Sequence, residues 1–198
     1  MIIKSQRRFE VLKQYIKGKK LLHVGCIDHN WKRSLKEDWI HKKIVEYSKE
    51  TIGIDILEND IKELTKRGYD IRYGNAEDFD LNTKFDVIFA GEIIEHLENL
   101  KGFLVSCKKH MNPNSLLIIS TPNVFGIRYF LYYLLGRDFV NPEHTCWFCK
   151  HTLSQLLIRC GFEIVSEHYV LLDAPKLRWY LNVILEAIEK LFPRLRPT

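Results

Sequence analysis

Apolar residues follow two kinds of pattern that alternate along this chain. Short unbroken apolar runs, bounded by glycine or polar residues, are typical of strands buried on both faces of a sheet. Such runs predict strands at 21–25, 51–56, 69–73, 85–91, 115–121 and 162–172. Apolar positions at helical spacing predict helices at 6–17, 30–49, 58–67, 100–110, 154–160 and 176–191. Strands that alternate with helices favour an α/β fold with a doubly wound, mostly parallel sheet.

Composition and charge narrow the class of protein. Of the 198 residues, 46% are hydrophobic and 28% are charged, which excludes a disordered or collagen-like chain. Neither a repeat nor a linker interrupts the pattern, so we expect one domain over residues 1–198. Thirty Lys and Arg against 25 Asp and Glu give a net charge of +5, which tolerates an anionic partner. DNA is not an expected partner, because a dedicated nucleic-acid binder concentrates more positive charge.

Targeting signals and cysteines indicate a compartment. The N-terminal segment has scattered charges and no apolar core of a signal peptide. The most apolar stretch, 124–135, contains Gly126 and Arg128 and falls short of the ~20 apolar residues of a spanning helix. Five cysteines suit free thiols in a reducing cytosol. We therefore expect a cytoplasmic protein, and a peripheral contact with a membrane surface stays open.

Candidate chemistry follows the predicted strands, because ligands of such sheets bind at the carboxyl ends of the strands. Gly25 follows the first strand, where a missing side chain lets a ligand approach the backbone. Asp55 ends the second strand, and its carboxylate either accepts two ribose hydroxyls or caps a helix. The segment 74–77, GNAE, follows the third strand, and 91–97, GEIIEHL, follows the fourth.

These motifs in this order resemble a class I S-adenosylmethionine-dependent methyltransferase, of the kind called methyltransferase types 11 and 12. The resemblance covers about residues 19–172 and also includes STPN at 120–123 and the EHT and GFEI segments after it. It implies a Rossmann-like fold and S-adenosyl-L-methionine as cofactor. Carried over by position, the cofactor-binding residues are His23, Gly25, Cys26, Asp55, Ile56, Asn75, Ala76, Glu77, Gly91 and Glu92.

The resemblance also assigns parts of the cofactor to these positions. Gly25 and its neighbours would lie against the methionine part, and Asp55 would hold the ribose hydroxyls. The segment 75–77 would frame the adenine, and 91–92 would lie beside the sulfonium. The sequence departs from the family at His23, where an acidic residue is usual. The usual seventh strand of the family is not apparent in the sequence, so two alternatives stay open: the sheet lacks this strand, or its edge is built differently.

Methyl transfer from a sulfonium to a hydroxyl is a one-step displacement. The protein supplies alignment and often deprotonates the acceptor, and His96, His144 and Glu95 are the candidate catalytic residues. Spacings of three and four residues would place Glu92, Glu95 and His96 on one helical face. Mg²⁺ or Mn²⁺ held by Glu92, Glu95, His96 and His144 is an alternative to a metal-free pocket. The same turn is similar to metal-dependent small-RNA and quinone methyltransferases.

The segment 124–150 is expected to be a cap insertion on the acceptor side of the domain. It includes an apolar stretch with three alternative interpretations. The stretch is a cap helix packed on the domain, a hydrophobic acceptor site, or a contact with a membrane surface aided by Arg128 and Arg137. Zinc at Cys146 and Cys149 is less favoured than inward packing, because all potential ligands fall within eight residues.

The expected function is methyl transfer to a hydroxyl of a small-molecule, glycan or lipid-linked acceptor. Three alternatives stay open. The first is an RNA 2′-O-methyltransferase, although the sequence has no cluster of basic residues that would form a groove for RNA. The second is a non-catalytic module that retains the fold, as the altered glycine loop suggests. An NAD-dependent oxidoreductase is disfavoured, because G-x-G-x-x-G is absent.

Overall fold

The protein has two compact units. The computed structural model describes residues 8–134, 136, 140–170, 187–188 and 190–192. One unit is Leu12–Ser120, and the other joins Met1–Val11 to Thr121–Thr198. A single domain over residues 1–198 with a cap at 124–150 stays a prediction.

The Leu12–Ser120 unit is built on a five-stranded sheet. Its strands are β1 (Lys20–Val24), β2 (Glu50–Asp55), β3 (Ile71–Tyr73), β4 (Phe85–Gly91) and β5 (Met111–Ser120). They lie in the order β3-β2-β1-β4-β5, and every neighbouring pair is parallel. The predicted α/β fold with a doubly wound sheet is therefore confirmed. Because β1 and β4 are neighbours but not consecutive, the winding reverses between them, and ligands of such sheets bind at this reversal.

Helices precede the first strand of this sheet and connect three of the four consecutive strand pairs. They are α1 (Arg8–Ile16), α2 (Trp31–Ser34), α3 (Ile40–Tyr47), α4 (Glu58–Thr65) and α5 (Leu100–Lys109). Each longer helix turns an apolar face inward, as Leu12 and Ile16 do on α1 and Ile61 and Leu64 on α4. The sheet supplies the other side of the core, because β1 is buried from its second residue onward.

The single helix predicted over 30–49 is two short helices, α2 and α3. The side chain of Asn30 caps α2 by accepting the N–H of Arg33 at 3.1 Å. Residues 35–39 then form turns, and Trp39 turns into the core with 2% of its surface exposed. Burial of this one indole divides a stretch that helical periodicity treats as continuous.

The second unit contains α6 (Ile127–Leu134) and α7 (Lys150–Arg159), with a parallel bridge between Asn123 and Phe148. The strand predicted over 162–172 is wrong for 162–170, which the structure describes without strand pairing. Most of these residues are exposed, and Glu167 instead bonds to Lys150 and Ser154 of α7. Most of the helix predicted over 176–191 lies outside the described residues, although 187–188 and 190–191 are helical.

Within the described part of the chain, no helix combines the length and apolar character needed to cross a membrane.

Candidate active site

The carboxyl ends of β1 and β4 carry glycines where the winding of the sheet reverses. Gly25 has a φ of +67°, a backbone conformation that glycine adopts without a steric penalty. A Cβ at Gly25 would lie 3.0 Å from Cδ1 of Ile93, in the loop after β4. A Cβ at Gly91 would lie 2.5 Å from Cζ of Phe89. Neither position has room for a side chain, because Ile93 and Phe89 already occupy the space.

The loop after β1 is bonded to the end of β2. The N–H groups of Gly25 and Cys26 both donate to the carbonyl oxygen of Ile54, at 2.9 and 3.3 Å. The N–H of Ile27 donates to Oδ2 of Asp55 at 2.9 Å. Burial raises the pKa of the Cys26 thiol, so this thiol stays protonated. The glycine loop, residues 25–28, is thus bonded to β2 through its first three residues.

Asp55 is the buried carboxylate at this edge, with 8% of its surface exposed. Its Oδ1 accepts the N–H groups of Ile56 and Leu57 at 2.8 and 3.3 Å, in addition to the Ile27 bond on Oδ2. Burial raises the pKa of Asp55, and these three backbone bonds oppose that shift. A carboxylate has about four lone-pair sites, so one further hydroxyl donor finds an acceptor here.

The segment after β3 makes a tight turn. Oδ1 of Asn75 accepts the N–H of Glu77 at 3.0 Å, and Ala76 is buried. Oε1 of Glu77 accepts the N–H groups of Glu98 and Asn99, at 2.7 and 2.8 Å. The carboxylate of Glu77 therefore ties this turn to the residues that begin α5. Its predicted contact with adenine stays a prediction.

Glu92 has a strained backbone at the end of β4. Its φ of +54° is uncommon for a residue with a side chain and costs on the order of 1 kcal/mol. Its N–H donates to the carbonyl of Ser120 at 2.8 Å, and the Ser120 hydroxyl donates to its Oε1 at 3.1 Å. The ends of β4 and β5 together thus hold this carboxylate in place.

Glu95 and His96 lie on a single 3₁₀ turn, Ile94–His96. Glu95 is buried and His96 is half-buried. Glu92 precedes this turn with its left-handed φ, so the expected single helical face of Glu92, Glu95 and His96 is not formed. The roles of these residues in catalysis or metal binding stay predictions.

His144 belongs to the second unit. Its backbone N–H donates to the carbonyl of Asn141 at 2.9 Å. Its imidazole ring lies edge-on to the ring of Trp147, with centroids 6.4 Å apart. Cys149 is the N-cap residue before α7 and donates its backbone N–H to the hydroxyl of Thr152 at 3.0 Å. Hydrogen bonds from Thr152 lower the pKa of the Cys149 thiol. Cys149 therefore has the contacts of a helix cap.

Comparison with known proteins decides the family. Residues 5–167 match a family model described as a methyltransferase domain. The chain belongs to this methyltransferase family. The predicted family, its S-adenosylmethionine cofactor and its Rossmann-like fold are therefore confirmed for the methyltransferase domain.

Individual relatives agree with this assignment. The chain is 30% identical over 146 residues to the ubiquinone biosynthesis O-methyltransferase of Rickettsia canadensis, covering 68% of this chain and 62% of that protein. It is 29% identical over 166 residues to a probable S-adenosylmethionine-dependent methyltransferase of Mycolicibacterium smegmatis, covering 80% of this chain and 59% of that protein. The chain thus spans about three fifths of the length of these relatives. A solved S-adenosylmethionine-dependent methyltransferase from Aquifex aeolicus shares the fold, with a TM-score of 0.60 at 17% identity over 82% of both chains.

The sequence did not reveal two residues of the methyltransferase domain that contact the glycine loop or the strand before it. Nε1 of Trp39 donates to the carbonyl of Cys26 at 2.8 Å. Nδ1 of His41 lies 3.0 Å from Nδ1 of His23, which is itself buried inside the sheet. The only sequence signal was indirect: Gly53 lies inside a strand, where its missing side chain is unfavourable unless another group needs the space. The predicted contact of His23 with the cofactor stays a prediction.

Proposed function

We propose that this methyltransferase domain binds S-adenosylmethionine at the carboxyl edge of its sheet and methylates a hydroxyl of a small-molecule, glycan or lipid-linked acceptor. The observation that supports it most is the convergence of Gly25, Asp55 and Gly91 at the ends of three neighbouring strands, in a chain of this family. When bound, the cofactor supplies a methyl group that its sulfonium already activates. The task of the protein is therefore to bind, align and exclude water.

The residues at this edge fit an adenosyl ligand. Gly25 packs against Ile93 with a φ of +67°, and the methionine part is proposed to lie along the backbone of the loop that this glycine begins. Asp55 keeps one acceptor site for a ribose hydroxyl after its three backbone bonds. Ile56, directly after β2, is 59% exposed, and an adenine ring would cover this apolar surface. The ring of His23 is buried, so we assign it to support of the loop.

The acceptor is proposed to be apolar in part. A relative with 30% identity is named for O-methylation in ubiquinone biosynthesis. In the second unit, Phe125, Phe130 and Tyr133 are all more than half exposed. Exposed aromatic side chains of this kind suit an apolar acceptor or the surface of a lipid bilayer. Turnover of a quinone-like phenol, a lipid-linked glycan and a small RNA, compared in one assay, distinguishes these acceptor classes from the RNA alternative.

His96, His144 and Glu95 are proposed to act on the acceptor. An imidazole nitrogen of His96 or His144 would take the hydroxyl proton, and the carboxylate of Glu95 is the third candidate for this step. His96→Gln and His144→Gln are each expected to lower kcat at least tenfold, within the range of general-base catalysis. Their affinity for S-adenosylhomocysteine should stay unchanged. Addition of Mg²⁺ or Mn²⁺ and of a chelator to the same assay tests the metal alternative.

Calorimetric titration with S-adenosylhomocysteine tests the proposed cofactor site. We expect micromolar binding that Asp55→Ala weakens at least tenfold, about 1.4 kcal/mol. Asp38→Ala removes an exposed carboxylate from the turns before α3 and serves as the matched control, with no change expected. Absence of both heat and a thermal shift at millimolar ligand would contradict the proposal and favour a non-catalytic module.

A further inference from the structure

We propose that Trp39 and His41, on the segment between β1 and β2, are positioning residues that hold the glycine loop in its cofactor-binding conformation. The proposal rests on the proposed function, because it concerns the same loop. Neither residue is exposed enough to contact a ligand directly: Trp39 is 2% exposed and His41 is fully buried. They are expected to act through Cys26, His23 and, indirectly, Asp55.

Trp39 and Asp55 hold the two ends of one peptide group. The carbonyl of Cys26 and the N–H of Ile27 belong to the same planar unit, so they point in opposite directions and rotate together. The indole N–H of Trp39 donates to that carbonyl at 2.8 Å, and Oδ2 of Asp55 accepts that N–H at 2.9 Å. Rotation of this peptide would break both bonds at once. Trp39 therefore helps to fix the carboxylate that is proposed to bind ribose.

His41 adds a second buried support. Its Nδ1 lies 3.0 Å from Nδ1 of His23, so one ring must donate and the other must accept. Among the described residues, Nε2 of His41 has no hydrogen-bond partner. A buried N–H without an acceptor is rarer and costlier than a bare nitrogen, so the proton belongs on Nδ1 of His41. His23 then accepts at Nδ1, which fixes the orientation of its ring one residue before the loop.

The rings around these two residues leave little freedom. Trp39 lies against His41 and against Tyr69, with ring centroids 5.0 and 4.9 Å away. His23 packs on Phe89 of β4 at 5.0 Å. Burial lowers the pKa of His41 to about 3, so the imidazole stays neutral in this apolar surrounding at ordinary pH. The rings of Phe89, His23, His41 and Trp39 therefore form one packed row that runs from β4 to the segment after α2.

Gly53 supplies the space for this arrangement. A Cβ at Gly53 would lie 2.6 Å from Sγ of Cys26 and 3.0 Å from Cε1 of His41. The middle of β2 thus has no side chain at the point where the loop and the His41 ring approach it. This close approach explains why residue 53 is glycine, although its φ lies outside the left-handed region that favours glycine.

Trp39→Phe tests the peptide clamp, which is the pair of hydrogen bonds from Trp39 and Asp55 to the peptide group between Cys26 and Ile27. The substitution removes the indole N–H and keeps an aromatic ring. We expect the Kd of S-adenosylhomocysteine and the KM of the cofactor to rise about fivefold, the range of one lost hydrogen bond, with kcat at saturation retained. Trp31→Phe, on the same segment, is the matched control and should change neither constant. A Trp39→Phe protein with lower thermal stability but unchanged Kd would overturn the clamp.

A double variant separates positioning from general destabilisation. Because Trp39 and Asp55 hold the same peptide, the effects of Trp39→Phe and Asp55→Asn on Kd should combine to less than their product. Effects that multiply fully would contradict a shared peptide. If Trp39 only filled space, the two effects would multiply fully.

Two measurements need no cofactor, so they distinguish this proposal from the proposed function. Hydrogen exchange of the Ile27 amide should accelerate in Trp39→Phe and not in Trp31→Phe, and equal protection would overturn the clamp. Nitrogen-15 spectra of histidine-labelled protein should show His41 protonated at Nδ1, and protonation at Nε2 would overturn the second support. If the wild-type protein fails to bind S-adenosylhomocysteine, the proposed function fails, while these two results still decide the positioning roles.

Discussion

The two units of this methyltransferase use their apolar residues differently. In the Leu12–Ser120 unit, Phe89 of β4 is 1% exposed, and four of the five residues of β1 are buried. In the second unit, α7 contains no buried residue, and Phe130 of α6 is 55% exposed. Apolar surface removed from water stabilises the fold, whereas exposed apolar surface is available to a ligand. Stability and cofactor binding are therefore expected to depend on the first unit, and recognition of the acceptor on the second.

Truncation of one phenylalanine in each unit tests this contrast most directly. Phe89→Ala should lower the free energy of unfolding by about 3–5 kcal/mol, because it leaves a cavity in the core. Phe130→Ala should change it by less than about 0.5 kcal/mol, as for most surface substitutions. Urea unfolding followed by circular dichroism measures both values. Equal losses would show that the α6 aromatic contributes to a core, against the proposed division of roles.

A pair of glycines sharpens the contrast between stability and cofactor binding within the first unit. Gly25 and Gly18 have φ values of +67° and +69°, so alanine at either position is strained. A Cβ at Gly18 meets nothing within 4 Å, whereas one at Gly25 meets Ile93. Gly25→Ala should therefore weaken binding of S-adenosylhomocysteine more than about tenfold, or 1.4 kcal/mol. Gly18→Ala should share the loss of thermal stability from strain and keep its affinity. Weakened binding in both variants would count against a local role for Gly25.

The pH dependence of cofactor binding tests Asp55 with a smaller expected effect. Burial raises the pKa of this carboxyl from its ordinary value of 3.8, so it is protonated sooner as the pH falls. Affinity for S-adenosylhomocysteine should therefore decline on acidification, with a midpoint above 3.8, and the profile of Asp55→Asn should lack this step. Calorimetry across a pH series measures both profiles, and identical curves would remove Asp55 from the ribose site.

The same shift has a consequence for stability with a definite sign. Because the folded state binds this proton more tightly than the unfolded state, Asp55 contributes most to stability below 3.8. That contribution is lost as the pH rises through the raised pKa.

Periodicity predicted the elements of the sheet well where burial alone decides structure. The apolar runs that form β1, β2 and β4 are buried on both faces, so most residues of each run are buried. Asp55 and Gly91 were placed at strand ends for the same reason. The segment 162–172 was also predicted to be a strand, but a strand needs a neighbour to pair with, and the sequence does not report pairing.

The supports of the glycine loop were beyond sequence reasoning for a different reason. Trp39 and His41 stand in a polar stretch, and their partners Cys26 and His23 are 13 and 18 residues away. A hydrogen bond between such positions leaves no periodic trace. Only the glycine at position 53 marked the place where they converge. Contacts that position a site were therefore harder to predict than the strand ends that form it.

The cap of α7 also makes Cys149 more reactive toward electrophiles than the two buried thiols. Thiolates, not thiols, react with alkylating reagents. Hydrogen bonds from Thr152 lower the pKa of Cys149, whereas burial raises that of Cys26 and raises that of Cys107 beyond the ordinary range. A maleimide dye should therefore label Cys149 well before either buried thiol. Such a label would attach to the second unit and leave the thiol of the glycine loop unmodified.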